Sequence, residues 1–202
     1  IRADLTSIDG QLNYLLSVKN NPSNTYPYHG YLQGALYEHG LQTHATILDK
    51  DGKTGFNLAM QAAMKRRGIE LSIISPKSVL GYKSFAVNDS NYIYIGRDRR
   101  LSANLRLEAA DGTGMLVSTE DADTASLQNV TLSMNHFELG SLFAVLPFAP
   151  KLSGTLDGDY HLVQTEKELT ISSDMTIKRL VYENCPMGDV GTQFVYMPKG
   201  DG

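Results

Sequence analysis

Asp157 and Asp159 stand two residues apart in the stretch "GTLDGDYHL". On an extended strand that spacing puts both carboxylates on one face. A carboxylate pair flanking a scissile bond is what glycoside hydrolysis needs. Their neighbours argue otherwise, because Leu156, Tyr160 and Leu162 take the opposite, apolar face. A catalytic dyad lines a cleft, so the two aspartates read as a solvated face.

The other residues capable of chemistry lack the required spacing. "DKDG" at Asp49 has its glycine in the fourth place, whereas an EF-hand calcium loop needs it in the sixth, so a hairpin turn is expected. The five histidines (His29, His39, His44, His136, His161) show no zinc-ligand spacing and read as exposed strand residues. Cys185, the single cysteine, has no histidine close to it in sequence and reads as a small buried hydrophobe; one cysteine excludes an intrachain disulfide. No phosphate loop, dinucleotide fingerprint or Gly-x-Ser-x-Gly elbow occurs. The expectation is therefore a protein that is not an enzyme and has no catalytic residue, metal or cofactor.

The formal charge of −4 disfavours a nucleic-acid partner, which calls for a basic surface. The basic clusters "KRRG" (Lys65 to Gly68) and "GRDRR" (Gly96 to Arg100) read as solvated strand ends. A 42% hydrophobic and 20% charged composition is that of a folded chain. No apolar run approaches the roughly 18 residues of a membrane helix. Beginning at Ile1, already in strand-like sequence, the chain reads as a piece of a longer protein whose signal and anchor lie elsewhere.

The elements that would position any site alternate with period two. Leu12, Tyr14, Leu16 and Val18 do so, as do Phe56, Leu58, Met60, Ala62 and Met64. Ile69, Leu71 and Ile73 follow the same pattern, then Leu101 to Ala109, then Leu169, Ile171, Met175 and Ile177. Turns are expected at "DKDGKTG", "NDSN", "AADGTG" and "QTEKE", with Asp-Gly favouring tight hairpins. "NNPSNTYP" from Asn20 to Pro27 reads as a loop. "FNLAMQAAMKRRG" contains good helix formers, but its strict alternation predicts a strand. The one helix predicted is Glu138 to Val145, stopped by Pro147. The result is all-β, a single antiparallel meander with one short helix. No long amphipathic helix covers the apolar strand faces, so the sheet must bury them on itself or against an apolar guest.

"NVTLSMNHF", then "ELGSLFAVL", a proline, and "KLSGTLDGDYHL" give a strand, a very short helix and a glycine-spaced strand. This order resembles the AsmA-like and TamB group of bacterial envelope proteins. "SSDMTIKRLVYENCPMGDVGTQFVYMPKGDG" resembles the TamB-type proteins of the Bacteroidota in particular. "PYHGYLQGALYEHGLQTHATIL", "GFNLAMQAAM" and "SFAVNDSNYIYIGRDRRLSANLRL" fit the same strand pattern.

The resemblance implies a long, curled, taco-like β-sheet with an apolar concave face, covering residues 1–202 as one segment. It places that segment in the periplasm, within an envelope protein anchored in the inner membrane. The implied work is phospholipid transport, assembly of outer-membrane proteins with a barrel-type partner, or both. Phospholipid acyl chains would be held by burial alone, about 0.8 kcal/mol per methylene. The groove candidates are Phe56, Leu58, Met60, Leu105, Leu107, Leu156, Tyr160, Ile171, Met175 and Ile177. Gly154 and Gly158 are expected to let a strand bend and to leave space over the groove floor. In an open groove, Leu107→Asp and Ile171→Asp would abolish lipid binding without unfolding the chain. Exposed sheet edges invite pairing between copies. The competing reading is a closed β-sandwich, an adhesin-like module binding protein or glycan on a tyrosine-rich surface that includes Tyr26, Tyr28, Tyr31 and Tyr37.

Overall fold

A computed structural model describes residues 1–20, 28–75, 77–120, 126–146 and 149–198. Pro76, Pro147, Tyr26 and most of the stretch predicted as a loop at 20–27 lie outside them. Among the described residues, fifteen strands form one antiparallel sheet, and a single short helix accompanies it. The strands are β1 (Arg2–Ile8), β2 (Gln11–Lys19), β3 (His29–Tyr37), β4 (Gly40–Leu48), β5 (Thr54–Lys65), β6 (Gly68–Ile73), β7 (Lys77–Leu80) and β8 (Lys83–Val87). They continue as β9 (Tyr92–Gly96), β10 (Leu101–Glu108), β11 (Gly114–Thr119) and β12 (Ser126–Glu138). Helix α1 (Leu139–Ala144) leads into β13 (Leu152–Thr165), β14 (Leu169–Tyr182) and β15 (Cys185–Tyr196). The "FNLAMQAAM" segment is strand, as its alternation requires.

The meander is broken once. Between β5 and β10 the row is shared by two short hairpin arms. β6 and β9 pair along one half, while β7 and β8 bridge β5 to β10 along the other. Where the two arms meet, asparagine side chains replace missing ladder bonds. The Asn91 amide donates to the Ile73 carbonyl at 2.9 Å and its oxygen accepts the Ile73 N–H at 2.6 Å. Asn88 Oδ1 accepts the Arg106 N–H at 2.8 Å. The polar "NDSN" turn thus also splices the sheet.

The buried core lies at the end of the sheet that carries α1. Phe85, Leu105, Leu107, Ala109 and Phe137 form it, with Ile73, Leu80, Val87, Met134 and Leu142 packed around them. The Phe85 and Phe137 rings stack with centroids 5.7 Å apart. α1 is seated directly on the β7–β8 turn, since a Cβ on Gly81 would lie 2.8 Å from the Ser141 carbonyl carbon.

Two bulges bend the sheet near this end. Register slips between Met134 and Phe137 in β12, and between Ile177 and Leu180 in β14. At each slip a non-glycine residue takes positive φ, His136 at 54° and Arg179 at 51°. At each, an aspartate on the next strand accepts the freed N–H: Asp157 from His136 and Asp189 from Arg179, both at 2.7 Å. Asp157 is therefore a bulge cap, and Asp159 accepts instead from the Ser133 hydroxyl. Because a hydrogen bond to a charged group contributes about 1.5–3 kcal/mol, Asp157→Ala should lower stability by about 2 kcal/mol in urea titration. Exposed Asp159→Ala should change it by about 0.5 kcal/mol or less. Equal costs for the two would remove the capping role.

Candidate functional site

Directly paired residues in an antiparallel ladder share a face, so the registers carry one face across the whole sheet. Starting at Leu107, that face passes through Met115, Met134, Gly158 and Met175 to Thr192. In the other direction it runs from Ala103 through Ile93, Leu71, Ala62 and Leu41 to Leu36 and Leu12. All ten groove candidates fall on it. Phe56, Leu58 and Met60 come from β5, Leu105 and Leu107 from β10, Leu156 and Tyr160 from β13, and Ile171, Met175 and Ile177 from β14. The opposite face carries Gln33, His44, Asn57, Asn104, Arg106, Asp159 and Asp174.

The face is closed in one zone and open in two. Leu107 and Leu105, 2% and 6% exposed, are sealed by the protein's own core. As floor residues open to a guest these two are corrected: β8, β12 and α1 already cover them. Leu156 is half-buried against the same core, and the other seven candidates are half-buried. On the wings the face meets solvent. Leu5, Leu12, Leu16, Leu32 and Leu36 are exposed on β1–β3, and Val190, Phe194 and Tyr196 on β15. Tyr160 meets Phe194 edge-on at 6.2 Å.

The sheet curls so far that strands well separated in its order line one cavity. A 690 Å³ space at the helix end is bounded by Ile47 and Leu48 of β4, by Phe143 of α1 and Leu146 just after it, and by Leu152 of β13 and Val181 of β14. That volume suits a drug-sized ligand or a stretch of acyl chain. Polar groups sit at its rim. The Tyr82 hydroxyl is pushed up from its ordinary pKa, first by burial and then by the charge of Asp49 and a hydrogen bond to it. Nearby, Lys83 reaches Asp111 and Thr113, each at 2.7 Å, and holds the Asp111 carboxyl well below the usual carboxylate range.

The glycines of β13 act differently from the expectation. Gly158 has φ 154°, a conformation that side-chain-bearing residues avoid. A Cβ there would lie 2.5 Å from the Asp174 carbonyl oxygen and 2.9 Å from Met175 Cγ. Gly154 faces the β14 bulge, with Ile177 Cγ2 at 2.9 Å from such a Cβ. Gly154 sits at the register shift between Ser153 and Thr155, with φ 139°. The space above both glycines is filled by Met175 and Ile177, and the floor is not left open.

The remaining candidates for chemistry stay apart. Among the described residues no group of histidine, cysteine and carboxylate side chains could hold a metal. Asp49 Oδ1 accepts the Asp51 and Lys53 N–H groups at 2.9 Å, so "DKDG" closes a hairpin. His29 and His44 are half-buried in polar pairs with Tyr31 and Asn57, not exposed; His39, His136 and His161 are exposed. Cys185 is exposed at the start of β15, contrary to the buried position expected. No helix among the described residues is long and apolar enough to cross a membrane.

The sequence carried unused signals for the two bulges. "MNHF" and "IKRL" space their apolar residues three apart, where an unbroken strand spaces them two apart. The chain matches no family model, and no curated protein or solved structure is significantly similar to it.

Proposed function

We propose that this chain is a section of a TamB-like envelope protein whose curled sheet cradles phospholipid acyl chains along its apolar face. One observation carries the reading: a single apolar face runs through the sheet, and its β1–β3 and β15 wings are exposed to water. Exposed Leu on one wing, and Val, Phe and Tyr on the other, leave two apolar areas on the same face of the sheet, and each calls for an apolar partner. Contacts of this kind are non-directional, so a held lipid is free to slide and its headgroup is not selected.

The resemblance supplies the rest of the proposal. The section works in the periplasm within a protein anchored in the inner membrane, serves lipid transport or outer-membrane protein assembly, and docks with a barrel-type partner. No catalysis and no cofactor are needed. The unpaired edges, β1 and β15, offer ladder bonds to further strands of the same kind, including those of a second copy. The sealed cluster of Phe85, Leu107 and Phe137 favours a second reading, a closed module with a binding surface, for the middle of the sheet only.

Native mass spectrometry with lipid extraction tests the proposal. The expected result is co-purified phospholipid of mixed headgroup. A stable preparation free of lipid would leave the closed module as the better reading.

A further inference from the structure

The end of the trough opposite α1 carries a charge pattern that the apolar face does not explain. Six of the eighteen Lys and Arg residues are Lys65, Arg66, Arg67, Arg97, Arg99 and Arg100, and they sit in two adjacent turns, β5–β6 and β9–β10. The turns are bonded side by side, with the Arg97 N–H donating to the Arg67 carbonyl at 2.8 Å. Lys65 pairs with Glu70 at 2.9 Å and Arg100 approaches Asp98 at 3.6 Å. Among the described residues no carboxylate lies within ion-pair distance of Arg66, Arg67, Arg97 or Arg99, and all four are exposed. Arg66, Arg67, Arg97 and Arg100 line one shallow pocket of 500 Å³ together with Tyr94, Asp98 and Ser102.

A second observation is independent of charge. The same hairpin arms place Met64, Ile69 and Ile95 on the apolar face at this end, 66%, 44% and 44% exposed. The pocket opens on the polar face, where Ser102 pairs with Tyr94, and the apolar row stands on the other face just behind the tips. A bilayer surface met end-on by these tips offers phosphate to the arginines on one side and apolar interface to Met64, Ile69 and Ile95 on the other. A soluble phosphate would use the arginines and leave the apolar row idle.

We infer that the β5–β6 and β9–β10 turns form a docking site for an anionic phospholipid membrane surface, the arginines meeting headgroup phosphates and Met64, Ile69 and Ile95 entering the interface. Neighbouring turns at the same end carry Asp9, Glu38, Glu120, Glu166 and Glu168. The attraction is therefore confined to the two central hairpins. They present a narrow foot rather than a flat base, and the apolar face rises directly from it. The inference stands whether or not the trough carries lipid.

The test is sedimentation of the purified chain with large vesicles, either of phosphatidylcholine alone or with about 30 mol% phosphatidylglycerol. Despite a net charge of −4, the chain should bind the anionic vesicles and not the neutral ones. Salt at about 0.5 M should weaken that binding strongly. A variant combining Arg66→Gln, Arg67→Gln, Arg97→Gln and Arg100→Gln should lose at least about tenfold in partitioning, since each cation contributes near a charged surface. Combining Met64→Ser, Ile69→Ser and Ile95→Ser should leave only weak, wholly salt-sensitive binding. Equal binding to both vesicle types would overturn the inference, and so would an arginine variant that binds like the parent. Displacement from the vesicles by millimolar inorganic phosphate would also overturn it, because the pocket would then be a free-anion site. The salt dependence of the unaltered chain needs no variant to fold.

Discussion

Leu107→Asp is expected to unfold the chain, whereas Ile171→Asp should leave it folded and, in the lipid-cradle reading proposed above, abolish lipid co-purification. The two leucine-sized side chains share one face of the sheet but not one environment. Leu107 is 2% exposed and touches the stacked Phe85 and Phe137 cluster. A carboxylate there has neither water nor a partner. Burying an unpaired charge belongs to the small class of substitutions that cost more than about 4–5 kcal/mol. Since whole domains are stable by only about 5–15 kcal/mol, that is enough to abolish folding. Ile171 is half-buried and lies between Leu162 and Tyr196, the latter 54% exposed on the edge strand. A carboxylate at 171 can reach water but spoils an apolar surface for acyl chains. Circular dichroism and gel filtration report the first effect, and native mass spectrometry the second. A Leu107→Asp chain with a native spectrum would show the cluster to be permeable. An Ile171→Asp chain that unfolds would show the β13–β15 wing to be sealed.

Gly158→Ala should be strongly destabilising. The added carbon meets backbone on β14, 2.5 Å from the Asp174 oxygen and 2.6 Å from Met175 Cα, so no side-chain rotation relieves it. The residue would also have to hold φ 154°. Strain of about 1–3 kcal/mol from the backbone alone, added to the contact, puts the loss at about 3 kcal/mol or more. Gly112→Ala provides the comparison. Its φ is 84°, but nothing lies within 4 Å of the new carbon. Positive φ alone should cost it about 1 kcal/mol. Denaturant midpoints of the two variants give the comparison directly. Similar losses would mean that β13 and β14 separate to admit a methyl group.

Much of the sheet was legible because period two is a local property. Phe56 to Met64, Leu101 to Ala109 and Leu169 to Ile177 each state their own inward face without reference to any other strand. The short helix was legible too, within a residue at each end. What escaped depends on partners far away in sequence. The β7–β8 arm that bridges β5 to β10 follows from how much ladder β6 and β9 leave uncovered, which no single strand encodes. The bulges depend on Asp157 and Asp189 reaching across to His136 and Arg179. Asp157 read as part of a solvated face because its partner, the His136 N–H, lies on another strand. Leu107 and Leu12 carry the same pattern in sequence, yet one is sealed and the other 40% exposed. The curl decides between them, and the curl is a sum over many strand pairs.

The constancy of the apolar face has a consequence for how such a chain can change length. An added or lost residue inside a strand inverts every side chain beyond it, unless a bulge absorbs the change. A whole hairpin alters nothing outside itself: it brings two strands, a turn and its own inward row, and returns the chain to the same end of the sheet in the same phase. The molecule is in this sense modular in pairs of strands, and its span can be lengthened or shortened by hairpins while the character of its inner surface is preserved.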